Sequence, residues 1–163
     1  MSGQIEHSEP EKKVLVIGVG NPYRSDDAAG LIVARHVKEQ MLNCVDVIEE
    51  SGEGVILMEA WKNADKVVLI DAVSSGREPG TVYRFDARVQ AIPTKFFHYS
   101  THAFSVAEAV ELARALNRLP HQLIIYGIEG KNYESGFELS PEVESSLKEV
   151  VNRVLKEITS LLQ

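Results

Sequence analysis

Val14-Leu15-Val16-Ile17-Gly18-Val19-Gly20-Asn21-Pro22-Tyr23-Arg24-Ser25-Asp26-Asp27 is the stretch that decides the fold. Its first four residues are apolar without alternation and mostly β-branched, as in a strand covered on both faces, and Gly18 ends the run. A Gly/Asn/Pro loop follows. Residues 28–41 then place Leu31, Ala34, His36, Val37 and Met41 at roughly helical spacing among charged residues. Strand, loop and helix in that order open a parallel α/β unit. Residues 45–48 predict a second strand, and Ile56, Leu57, Met58, Ala60 and Trp61 predict a short helix behind the Ser51-Gly52-Glu53-Gly54 loop.

Further along, Lys66-Val67-Val68-Leu69-Ile70 is another apolar run, and it ends directly at Asp71. Thr81-Val82-Tyr83-Arg84-Phe85 alternates after the turn signal Pro79-Gly80, which predicts an edge or antiparallel strand. Ser105-Val106-Ala107-Glu108 fits a capping box ahead of a Val106, Val110, Ala113, Leu116 stripe, with Thr101 as an alternative, earlier cap. Residues 122–126 predict a last strand. Ser140 and Pro141 supply an N-cap and a first-turn proline for a long helix carrying Val143, Leu147, Val150, Val154 and Ile158 on one face. The expected fold is a three-layer α/β/α sandwich, phosphorylase/hydrolase-like, with a mostly parallel, mixed five-stranded sheet. Residues 1–13 are read as a polar tail and residues 14–163 as a single domain.

The whole chain has 163 residues, 44% hydrophobic and 25% charged, which suits one soluble globular domain. Seventeen Lys+Arg against 24 Asp+Glu leave a net charge of −7, a surface that repels a nucleic-acid backbone. The single cysteine, Cys44, excludes an internal disulfide and a thiolate-rich zinc site, as suits a reducing compartment. No run approaches the roughly 20 apolar residues that cross a bilayer, and the N-terminus lacks the apolar stretch of a secretion signal, so the expected location is the cytoplasm. The first loop is not a dinucleotide fingerprint: Tyr23 stands where a third glycine is needed, and two aspartates would oppose a pyrophosphate. Walker, H-E-x-x-H and G-x-S-x-G motifs are absent.

The chemistry must therefore come from dispersed residues. Ligands in open α/β sheets sit beyond the carboxyl ends of strands, which selects Asp27, Asp71 and His102. Two carboxylates and one imidazole suit a divalent metal and leave coordination positions open. Each residue also has a plainer reading. Asp27 would cap the first helix, Asp71 would merely end a strand, and His102 would be an ordinary hydrogen-bonded histidine. Asp26 is expected to be a solvated or loop-bonding neighbour, and His7, His36, His98 and His121 structural or surface groups.

These residues resemble the nickel-iron hydrogenase maturation proteases (peptidase family M52), endopeptidases of hydrogenase assembly. Val16-Ile17-Gly18-Val19-Gly20-Asn21-Pro22 with Asp26-Asp27 is similar to the family's first motif, and Leu69-Ile70-Asp71-Ala72-Val73 to its second. Ser100-Thr101-His102 resembles its serine and histidine element. Tyr126-Gly127-Ile128-Glu129 and Gly136-Phe137-Glu138-Leu139-Ser140-Pro141-Glu142-Val143 resemble its C-terminal segment. The resemblance implies removal of a C-terminal extension from the hydrogenase large-subunit precursor after nickel insertion. It also implies that Asp27, Asp71 and His102 bind that nickel as metal-binding and catalytic residues, with the metal supplied by the substrate and no permanent cofactor. The expected partner is that precursor, with no nucleic acid or membrane, and the chain is expected to act as a monomer.

Three departures from the family pattern stand out. Asp27 occupies a position often held by glutamate, Ala28 one often held by glycine, and residues 50–54 match the Gly-rich second loop only loosely. Two other functions share features with this chain. A peptidyl-tRNA hydrolase has a similar Gly-x-Gly-Asn-Pro turn, but its Arg-His-Asn element is replaced here by Arg24-Ser25-Asp26-Asp27. A noncatalytic factor that binds a nickel-loaded partner would need the same three residues.

Overall fold

The computed structural model describes residues 13–97 and 104–163. Five strands form one sheet: β1 (Val14–Val19), β2 (Val45–Glu50), β3 (Lys66–Val73), β4 (Val82–Asp86) and β5 (Gln122–Glu129). Their order is β2-β1-β3-β5-β4, with β4 antiparallel to β5 and every other pair parallel. Among the described residues four helices flank the sheet, α1 (Ala29–Glu39), α2 (Gly54–Trp61), α3 (Val106–Ala115) and α4 (Pro141–Leu161), with 3-10 turns at Ser25–Ala28 and Thr94–Phe97. This is the expected mixed, mostly parallel α/β sandwich.

Period-two alternation divides each central strand between two cores. Val68, Ile70 and Ala72 of β3 face α1 and α4 together with Val14, Val16, Ile124 and Ile128. Val67, Leu69 and Val73 face α2 and α3 together with Ile17, Leu57, Trp61 and Ile125. Each fully buried Leu or Ile contributes about 1.5–3 kcal/mol of transfer free energy. The stripe expected on α4 is real, since Val143, Leu147, Val150, Val154 and Ile158 are all buried against the first core.

Several boundaries differ from the sequence reading. The first helix stops at Glu39, so Met41 leaves its stripe, takes φ 51° and is 87% exposed. Leu116 caps α3 instead of packing beneath it and is half-exposed. Both β3 and β5 run three residues further than their apolar runs. The extra residues pair with each other, Asp71 with Gly127, Ala72 with Ile128 and Val73 with Glu129. Asp71 is thus inside β3 and does not follow its end. The ladder between β1 and β3, however, finishes at Gly18 and Ile70, so Asp71 is the first residue of β3 beyond its neighbour's reach.

Candidate active site

The first loop is folded back on itself by two close backbone approaches. A Cβ at Gly20, whose φ is 154°, would collide with the Asp27 carbonyl, and a Cβ at Gly30 would collide with the carbonyls of Val19 and Ile70. Only glycine lets the start of α1 press on the ends of β1 and β3 in this way. This contact carries the Ser25–Ala28 turn to the carboxyl end of the sheet, where β3 continues into Asp71. Ala28 adopts an ordinary helical φ of −79°, so the absence of a glycine there imposes no strain.

Asp27 does not cap the first helix: α1 has Ala28 at its N-cap and no side-chain cap bond. Its carboxylate instead turns back into the loop, where Oδ2 accepts the backbone N–H of Asn21 at 3.0 Å. Asp71 and Asp27 are both buried. Their fields meet at Tyr133, whose phenol is held well above the ordinary range, first by burial and then by the negative charges of Asp71, Glu129 and Asp27. The protonated Tyr133 hydroxyl donates to the Val73 carbonyl at 2.5 Å. Two expected ligand positions, Asp27 and Asp71, therefore converge around one neutral phenol.

His102 falls outside the described residues, as do His98, Ser100 and Thr101. Among the described residues, no three His, Cys, Asp or Glu side chains form a metal-binding group. The Phe104 carbonyl accepts the Gly54 N–H at 2.8 Å at the start of α2. Ser105 then opens α3 with the expected box, its N–H and hydroxyl both donating to Glu108 Oε2 at 3.2 and 2.6 Å. His36 and His121 are exposed, as expected of surface groups.

Of the two roles expected for Asp26, the loop-bonding one holds and the solvated one does not, because the side chain is fully buried. Its Oδ2 accepts the N–H groups of Lys131 and Asn132 at 2.8 and 2.9 Å and the Ser140 hydroxyl at 2.9 Å, while Oδ1 accepts the Ser140 N–H at 2.7 Å. Ser140 does occupy the N-cap of α4, yet its hydroxyl serves Asp26 and makes no cap bond. Glu129 is a second buried anchor that sequence reasoning missed. It accepts the N–H of Ser75 at 2.9 Å, the Ser75 hydroxyl at 2.7 Å and the N–H of Gly76 at 3.1 Å. Tyr133 was likewise unforeseen; its one local signal is Gly130, where a Cβ would overlap the phenol.

A groove lined by Trp61, Leu112, Leu119, Pro120 and His121 opens at the other end of the sheet, where β3 and β5 begin, and so takes no part in this site. Among the described residues no helix is long and apolar enough to cross a membrane.

Comparison with known proteins agrees with this fold. The HycI hydrogenase maturation protease family model matches residues 31–157. The hydrogenase 2 maturation protease of Escherichia coli is 25% identical over 147 residues, covering 88% of each chain. An endopeptidase from Escherichia coli superposes with a TM-score of 0.77 at 25% identity, covering 88% of this chain and 90% of that one. The [NiFe] hydrogenase maturation protease HybD from Thermococcus kodakarensis gives a TM-score of 0.66 at 27% identity, over 90% and 99% of the two chains.

Proposed function

We propose, from the premise that this chain belongs to the hydrogenase maturation protease family, that it is an endopeptidase which removes the C-terminal extension of a [NiFe] hydrogenase large-subunit precursor once nickel has been inserted. It acts in the cytoplasm as a monomer, and the nickel arrives as part of the substrate. The observation that carries this reading is the convergence of Asp27 and Asp71 around Tyr133 at the carboxyl end of the sheet.

In this reading Asp27, Asp71 and His102 bind the precursor's nickel. Two carboxylates and an imidazole alone hold a divalent ion weakly and openly. Together with the ligands the precursor already supplies they complete its coordination, so only a loaded precursor gains the bridge. The reach of Asp27 is one methylene shorter than that of glutamate, and its bond to the Asn21 N–H fixes the direction in which it points. His102 enters from its place in the sequence ahead of α3 and from the resemblance of Ser100-Thr101-His102 to the family's histidine element. The bound nickel supplies Lewis acidity at the bond to be cut. The Asp71 and Asp27 carboxylates orient it and offer the base that takes a proton from water.

The test is intact mass measurement of precursor incubated with the protein. Wild type releases a C-terminal peptide from nickel-loaded precursor and none from chelator-stripped precursor, and Asp71→Asn releases none from either. Equal release from stripped precursor would end the nickel-check reading. A stable nickel-dependent complex without product would assign a binding factor in place of a protease.

A further inference from the structure

Among the described residues, two of the exposed large apolar side chains, Tyr23 and Phe137, are in direct ring contact. Tyr23 is 64% and Phe137 80% exposed, and their rings meet edge to face at 5.6 Å. An edge-to-face contact contributes about 0.5–1.5 kcal/mol, too little to explain leaving two rings in water.

Their backbones, in contrast, are held firmly. The Gly136 N–H donates to the Tyr23 carbonyl at 2.9 Å, and the Ser25 N–H to the Gly136 carbonyl at 3.0 Å, which makes a short parallel bridge between Arg24 and Gly136. The Ser25 hydroxyl donates to the Glu134 carbonyl at 2.8 Å and Arg24 Nε to the Tyr133 carbonyl at 3.3 Å. Buried Asp26 clamps the same two segments from below. Asn21 then links the pair to the reacting end of the molecule, for its N–H is bound by Asp27 and its Oδ1 accepts the Tyr23 N–H at 2.9 Å.

Exposed aromatic rings on a firmly hydrogen-bonded backbone suit a binding hot spot, because the cost of ordering that backbone is met in the free protein. We propose that Tyr23 and Phe137 form an aromatic platform at the rim of the carboxylate site that grips an apolar side chain of the polypeptide substrate and so determines specificity. This rests on the reading of the chain as an endopeptidase acting on a large-subunit precursor. The occupant is polypeptide because the platform shares its loop with Asp27, and apolar because what the pair exposes is mostly aromatic hydrocarbon.

The experiment compares wild type with the double variant Tyr23→Ser/Phe137→Ser on nickel-loaded precursor, reading both initial rates and equilibrium binding. The double variant raises KM and Kd about tenfold with kcat within about twofold. Tyr23→Phe and Phe137→Tyr, which keep both rings, restore the wild-type KM. Unchanged KM and Kd in the double variant would overturn the platform, as would a loss confined to kcat. If wild type binds the precursor without cutting it, the endopeptidase reading fails, and the two Kd values still decide the platform. A wild type that neither binds nor cuts overturns both.

Discussion

Asp26 and Asp27 are chain neighbours, both buried at the same end of the sheet, and they face opposite tasks. Asp26 is ringed by donors from residues 131–140 and holds two distant loops together. Asp27 looks the other way, bound to Asn21 within its own loop and sharing with Asp71 the field that raises the Tyr133 phenol. A carboxylate satisfied by several N–H groups is a structural fastener, whereas two carboxylates brought near a common point are a cost that binding of a cation offsets. The lesson is that an Asp-Asp pair is not one motif with one role: the turn at Ser25–Ala28 sends its two side chains into different regions.

The sharpest way to break this comparison is Asp27→Asn. It removes the charge but not the shape, and is expected to lower precursor processing about a thousandfold while the urea midpoint moves little. If Asp27→Asn unfolds the protein while processing per folded molecule stays intact, the two roles are reversed. Asp26→Ala is next. It strands the N–H groups of Lys131, Asn132 and Ser140, and equilibrium urea unfolding is expected to show a loss of about 3–5 kcal/mol. A loss below about 1 kcal/mol would mean that water replaces the carboxylate and the fastener is dispensable.

The smallest effect concerns a carboxylate remote from both. Glu157 on α4 accepts Arg84 Nε at 2.6 Å and the Tyr126 hydroxyl at 2.8 Å, and is 10% exposed. Burial pushes its carboxyl up, but the bonds to Arg84 and Tyr126 and the charges of Arg84 and Arg153 outweigh this and hold it below the usual value. Burial, together with the bond to Glu157 and its charge, pushes the Tyr126 phenol up to about 12 against the lowering effect of Arg84. A depressed carboxyl stabilises the fold above its ordinary pKa and loses that contribution as pH falls from about 4.5 downward. Glu157→Gln is therefore expected to flatten the acid limb of stability against pH by less than about 1 kcal/mol, checked by urea unfolding at pH 3 to 7. An acid limb unchanged by the substitution would show that the pair with Arg84 contributes nothing.

The central strands were legible because burial on both faces leaves continuous apolar runs, as in residues 14–17 and 66–70. Their carboxyl ends were not, since Asp71 and Glu129 interrupt hydropathy inside strands that remain hydrogen-bonded. The end of α1 was overrun because Met41 continues the spacing, although the chain has already turned to positive φ. Asp27 and Asp71 could be selected from strand-end logic and resemblance. A loop-bonding role for Asp26 could be anticipated, but not its burial or its partners, which lie 105 to 114 residues away. Tyr133 escaped notice for the same reason: its role depends on Val73, 60 residues earlier.

The Asp26 fastener also sets a timetable. A chain emerging from its N-terminus can pair β1, β2 and β3 early, but the loop bearing Asp27 finds its clamp only after Ser140 has been made. Loop closure over such a separation is slow relative to local helix formation. A nascent or truncated chain that ends before Ser140 therefore carries both site aspartates on a loop that lacks part of its Asp26 anchor.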